Sequence, residues 1–200
     1  MQSLMKFLKY SFILGVFLYC CLDIYAYFRL NNEDYPKQFD LEKYATVADA
    51  DIPNNIITAY EKAFPNALTN RIYPDIIWFV NSRINHRDAY AQIHFAYLLT
   101  RTSGFKLMSV AYQLDEKLSQ KQCIWAYLSK AHFGTNIFKQ DENIIGIQQL
   151  AKIYYNKNIP ELTERECLEM VIMTTSSRYN KFTKPKETTQ KVNEILHHSR

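Results

Sequence analysis

From Ser119 onward the apolar positions fall into a helical rhythm. Cys123, Ile124, Ala126, Tyr127, Leu128 and Ala131 recur with the 3.6-residue period, Ser119 stands where an N-cap is wanted, and Gly134 follows as a stop. Gly146 reopens the pattern with Ile147, Leu150, Ala151, Ile153 and Tyr154, until Asn156-Lys157-Asn158-Ile159-Pro160 breaks it. Thr163 with Glu166 three residues later has the form of a capping box. It leads into Cys167, Leu168, Met170, Val171, Ile172 and Met173, apolar on so many sides that this helix is predicted to be central and largely buried.

The earlier chain is patterned less firmly. Ile52-Pro53 opens a segment in which Ile56, Ile57, Tyr60, Ala63 and Phe64 have helical spacing, ended by Pro65. Ile76–Asn81 is a compact apolar run, Ala89–Leu99 a second helical stretch, and Phe105–Lys117 leads into the strongly patterned region. Asn31–Val47 is polar, contains Pro36 and has little periodicity, so it reads as a linker.

The amino terminus differs in kind. Tyr10–Leu22 is an unbroken apolar or aromatic run that Ile24–Phe28 extends past Asp23, giving about the twenty residues a bilayer core requires. Lys6 and Lys9 precede it, and the charges beyond it are balanced. The reading is an uncleaved anchor in the cytoplasmic (inner) membrane, with the amino terminus inside and the domain outside or periplasmic. No small-residue cleavage pattern follows the run, which argues against a removed signal peptide. The expected division is therefore residues 1–30 anchor, 31–51 linker and 52–200 a helical domain.

Composition narrows the class. The chain has 200 residues, 48% of them hydrophobic, with 4 Gly and 6 Pro, which excludes a disordered or repetitive protein. The net charge of +4 is spread along the chain, so nucleic-acid binding has no support, while a basic exterior suits anionic lipid or a pyrophosphate-bearing ligand. Cys123 and Cys167 fall on helix faces predicted to be buried. No Cys/His metal spacing, Gly-rich phosphate loop or nucleophile elbow is present, and neither metal nor cofactor is expected.

Several separated motifs then occur in a telling order. Ser119-Gln-Lys-Gln-Cys-Ile124, Tyr127-Leu128, Phe133-Gly134, Gly146-Ile147, Ala151, Tyr154-Tyr155, Lys157, Leu162-Thr163, Glu166 and Ser177-Arg178-Tyr179-Asn180 resemble the back half of the peptidoglycan glycosyltransferase domain of penicillin-binding proteins and monofunctional transglycosylases. Thr135–Ile145 is longer than that family's usual loop, and Ser129 stands where the family has Asn. The resemblance implies an all-α, lysozyme-like glycosyltransferase fold carried on the amino-terminal transmembrane helix. It further implies a lipid-linked peptidoglycan precursor or glycan strand as ligand, and cell-wall synthesis proteins as partners.

The front half departs from that family where the chemistry lies. Transfer of a glycan from a lipid pyrophosphate needs a base for the attacking hydroxyl and cationic groups for the departing pyrophosphate. Counting from Ala59 places Phe64 or Pro65 at the family's catalytic Glu, and counting back from Ser119 places Leu107 at its second functional carboxylate. Only Glu61, aligned with a gap, could serve as base; its alternative is a helix residue paired to lysines. Gln92-Ile93 are what remains of the family's Gly- and Thr-rich segment, Asp115 matches a family acidic position, and Lys106 and Arg178 are the candidate basic groups. His94, among Phe95, Tyr97 and Leu98, reads as a core or boundary histidine.

The candidate site is thus Glu61 as catalytic base with Gln92, Lys106 and Arg178 binding substrate. Three functions follow: a degenerate, non-catalytic relative binding cell-wall precursor or cell-wall enzymes; a divergent active glycosyltransferase using Glu61; or a membrane-anchored helical interaction subunit. The first is expected, because the scaffold motifs are kept and the reacting carboxylates are not.

Overall fold

The structure is a computed structural model and describes residues 2–31, 39–73, 90–135, 143–175 and 183–198. Among these are eight α-helices: α1 Gln2–Asn31, α2 Asn54–Ala63, α3 Ala91–Thr100, α4 Phe105–Lys117, α5 Gln120–Lys130, α6 Ile147–Tyr155, α7 Glu164–Met173 and α8 Pro185–His198. An antiparallel pair, β1 His132–Thr135 and β2 Asn143–Ile145, joins α5 to α6, with His132 opposite Ile145 and Thr135 opposite Asn143. The helical expectation holds, with this small hairpin added.

Caps set the helix starts as the sequence implies. The Ser119 hydroxyl accepts from the Gln122 amide at 3.1 Å while the Gln122 side chain accepts from the Ser119 amide at 2.9 Å. Thr163 and Glu166 repeat that reciprocal arrangement at the start of α7. Between them they satisfy amide donors that a helix start leaves unpaired. The C-terminus of α5 is a correction: the helix ends at Lys130 rather than continuing toward Gly134. Ala131 is already extended, its carbonyl accepts from Gly146 at 2.9 Å, and Gly134 belongs to β1.

Gly146 is required by two independent constraints. Its φ of 85° lies in the region L side chains avoid, and a Cβ there would stand 2.5 Å from the Ser129 carbonyl oxygen. That close approach seats the start of α6 against the end of α5.

α7 is the buried axis, with every residue from Cys167 to Met173 out of solvent. α2 and α8 pack on it, α3 packs against α4 and α5, and α1 lies along α4. Tyr60, Phe95, Leu114, Ile124, Leu128, Leu150 and Leu168 fill the centre. Cys123 and Cys167 are free and buried in this core, and burial pushes the Cys167 thiol up to about 12.

The stretch expected as a linker is folded onto the domain from Phe39 on. Leu41 is buried, Phe39, Tyr44 and Val47 pack against the core, and the Gln122 amide donates to the carbonyls of Ala45 and Val47. A short apolar grip is enough to hold a polar sequence of this kind. Along α1, large side chains between Tyr10 and Phe28 are exposed; among the described residues no helix is long and apolar enough to cross a membrane. The apolar run Ile76–Asn81 and the segment Ser177–Asn180 lie outside the described residues.

Candidate ligand-binding groove

Among the described residues, Glu61, Gln92 and Lys106 have separate surroundings. Glu61, in the last turn of α2, accepts the Asn66 amide at 3.0 Å and the Leu68 amide at 2.8 Å, so both carboxylate oxygens cap the turn that follows the helix. Among the described residues this turn-capping role replaces the lysine pairing expected of a surface helix residue. Pro65 forces the chain out of the helix, and the short turn it creates presents amides to the nearest acid.

Gln92 is fully buried in α3. Its amide donates to the Asn70 carbonyl, to Gln120 Oε1 at 2.6 Å and to the Asp115 carboxylate. Asp115, itself 3% exposed, also accepts from the Ile72 amide and from Gln120 Nε2, and meets Arg71 at 3.2 Å. This is a buried polar knot tying α3, α4, the start of α5 and the segment Asn70–Ile72 together, and Gln92 is turned into it. Lys106 is exposed at the start of α4, and Arg178 lies outside the described residues.

A groove of about 700 Å³ opens elsewhere, within the size range of ligand clefts. Phe64 at the end of α2, Leu107 in the first turn of α4, and Ile93 and Leu98 of α3 give it apolar walls. Tyr127 from α5 and Ile172 from α7 continue them, and Thr174 and Thr175 add hydroxyls where α7 ends. Arg101, His132 and Lys191 supply its basic groups, and no carboxylate belongs to its lining among the described residues.

One wall of the groove is an aromatic cluster. His94 Nδ1 and the Tyr60 hydroxyl are 2.5 Å apart, and the His94 ring lies 5.0 Å from Phe64 and 5.5 Å from Tyr127, centroid to centroid. His94 is therefore a boundary residue with a buried partner, as its apolar neighbours in sequence imply. Burial pushes the Tyr127 phenol up, opposed by its hydrogen bond at Thr174 and the nearby charge of Arg101; it stays a neutral donor to the Thr174 carbonyl at 3.3 Å.

The resemblance places Leu107 at one of the reacting carboxylates and Phe64 or Pro65 at the other. The fold brings Phe64 and Leu107 to the same groove, one from the end of α2 and the other from α4, and both are apolar and nearly buried, at 7% and 2% exposure. The basic groups of the groove were not legible as a motif. Arg101, His132 and Lys191 come from the end of α3, from β1 and from α8, and only the tertiary fold unites them.

The transglycosylase family matches this chain over residues 92–200, more than half its length, and the chain belongs to that family. Its domain is accordingly peptidoglycan glycosyltransferase-like, tied by that membership to glycan strands or their precursors. The match begins at Gln92, so α2 and the turn that Glu61 caps precede it. No curated protein matches the chain.

Proposed function

We propose that this protein is a non-catalytic transglycosylase relative that binds cell-wall precursor, glycan or cell-wall enzymes without polymerising glycan. One observation carries the reading: Leu107 and Phe64, the latter one of the two positions to which the resemblance assigns the catalytic acid, face one groove that has no acid in its described lining. A phenyl ring and an isobutyl group can neither take a proton nor hold a metal-bridged pyrophosphate. Absence of a general base alone removes ~10²–10⁴-fold in rate. Glu61 does not substitute for them, because its two oxygens are engaged by backbone amides of a turn.

We further propose that α1 holds the domain at the outer face of the cytoplasmic membrane. The support is the exposed apolar surface from Tyr10 to Phe28, together with the lysines that precede it. A reporter fused after Arg200 is expected to be active only outside the cytoplasm; activity confined to the cytoplasm refutes the placement.

The functional reading is tested by Glu61→Gln in the purified protein and in its cell. The variant is expected to match wild type in precursor binding and in cellular role. A wild type that polymerises precursor, with activity abolished by Glu61→Gln in a folded variant, would establish the divergent enzyme instead.

A further inference from the structure

We infer that Phe39–Ile52 is a releasable strap, latched by Gln122, whose docking holds the groove wall formed by α3. The inference concerns how the groove is assembled, so it stands apart from the non-catalytic reading. Side chains of the strap grip the domain at every third position: Leu41 is buried and Tyr44 and Val47 are half-buried, while Lys43, Ala45 and Thr46 between them are exposed. So thin an apolar contact leaves much of the hold to polar groups, and these converge on the start of α5. The Gln122 side-chain amide donates to the carbonyls of Ala45 at 3.2 Å and Val47 at 2.8 Å, and the Ser119 hydroxyl donates to Asp49 at 2.6 Å.

Gln122 divides its two side-chain atoms between two tasks. Its oxygen completes the capping box of α5 by accepting from the Ser119 amide, and its nitrogen reaches the strap. The cap is complete without the strap, so the strap can leave while α5 stays formed. A further contact ties the strap to the groove. The Tyr44 ring meets Phe95 edge to face, with centroids 4.9 Å apart. Phe95 is fully buried in α3, and its neighbour His94 lines the groove together with Ile93 and Leu98. Successive helix residues point about 100° apart, so the strap bears on one side of α3 while the groove occupies another. A close-packed helix shifts as a unit, so releasing Phe95 loosens that wall, and fixing the wall tightens the strap. The groove thereby has a held and a loosened state, set by a segment that stands between α1 and α2 in the chain.

The test is hydrogen–deuterium exchange of the full chain, wild type against Gln122→Glu. Glutamate keeps the oxygen that caps α5 and suits a helix start, but it lacks the amide donor and sets a carboxylate against the Ala45 and Val47 carbonyls. Peptides covering Phe39–Ile52 are expected to exchange about tenfold faster, the factor that loss of one hydrogen bond supplies. Peptides covering Ala91–Thr100 should exchange severalfold faster, and those covering Glu164–Met173 at the wild-type rate. Tyr44→Ala should loosen the same two segments, whereas Tyr44→Phe, which keeps the ring, should exchange like wild type; this pair decides the matter if Gln122→Glu does not fold. Unchanged exchange of the strap in Gln122→Glu overturns the latch, and a freed strap beside an unchanged α3 overturns its coupling to the groove. Acceleration spread equally over all helices overturns both, since it reports a general loss of stability. None of these outcomes bears on glycan polymerisation.

Discussion

Asp115→Ala probes the knot that fixes α3 against α4 and α5. The carboxylate is 3% exposed and accepts from the Ile72 amide at 3.2 Å, from Gln120 Nε2 at 2.8 Å and from Gln92. Its ion pair with Arg71 counts for little, since that guanidinium is about half exposed. Gln92 keeps Asn70 and Gln120 as acceptors after truncation, whereas the Ile72 and Gln120 donors are orphaned at about 1–3 kcal/mol each. Relief of the carboxylate's own desolvation offsets part of that, leaving a net loss of about 3 kcal/mol. Thermal unfolding followed by far-ultraviolet circular dichroism should show Tm lowered by about 6–12 °C for a domain of this size. Gln92→Met should destabilise through the same knot. A loss below about 1 kcal/mol for Asp115→Ala would refute the network as described.

Three other outcomes can be checked with the same apparatus. Leu128→Ala and Leu168→Ala, both at fully buried positions, should each cost about 2–5 kcal/mol in denaturant unfolding. Gly146→Ala should lower stability by about 1–3 kcal/mol, because it combines a positive φ with a methyl 2.5 Å from the Ser129 oxygen. Glu166 is half-buried, which opposes its ionisation, but hydrogen bonds from Lys157 and Thr163 prevail and hold its carboxyl below the ordinary value of 4.5. A lowered folded value means that its contribution is complete above the unfolded value and is lost as pH falls below 4.5, so the acid limb of the stability curve should flatten in Glu166→Gln.

The back half of the fold was legible because its signals are local. Ser119 with Gln122, and Thr163 with Glu166, are complete within four residues, and the run Cys167–Met173 declares its own burial. The hairpin was not legible, since His132–Thr135 and Asn143–Ile145 are too short to show alternation and are defined by their pairing. Phe39–Val47 looked like a linker because a few anchors, Leu41 foremost, hold an otherwise polar strip. For the groove, sequence counting placed Leu107 and either Phe64 or Pro65 at the decisive positions but could not show that Phe64 and Leu107 meet. Gln92 looked like a remnant of a binding segment, and the three partners that bury it lie 22 to 28 residues away in sequence.

The measurement that tests the central claim most directly is incubation of the purified full-length protein with labelled lipid-linked disaccharide precursor, with products separated by length. The apolar Phe64 and Leu107 predict that the precursor is recovered unchanged, with no glycan polymer above the level of a protein-free control. Polymer that accumulates with time and with protein concentration would contradict the account, and its persistence in Glu61→Gln would show that the base lies elsewhere in the chain.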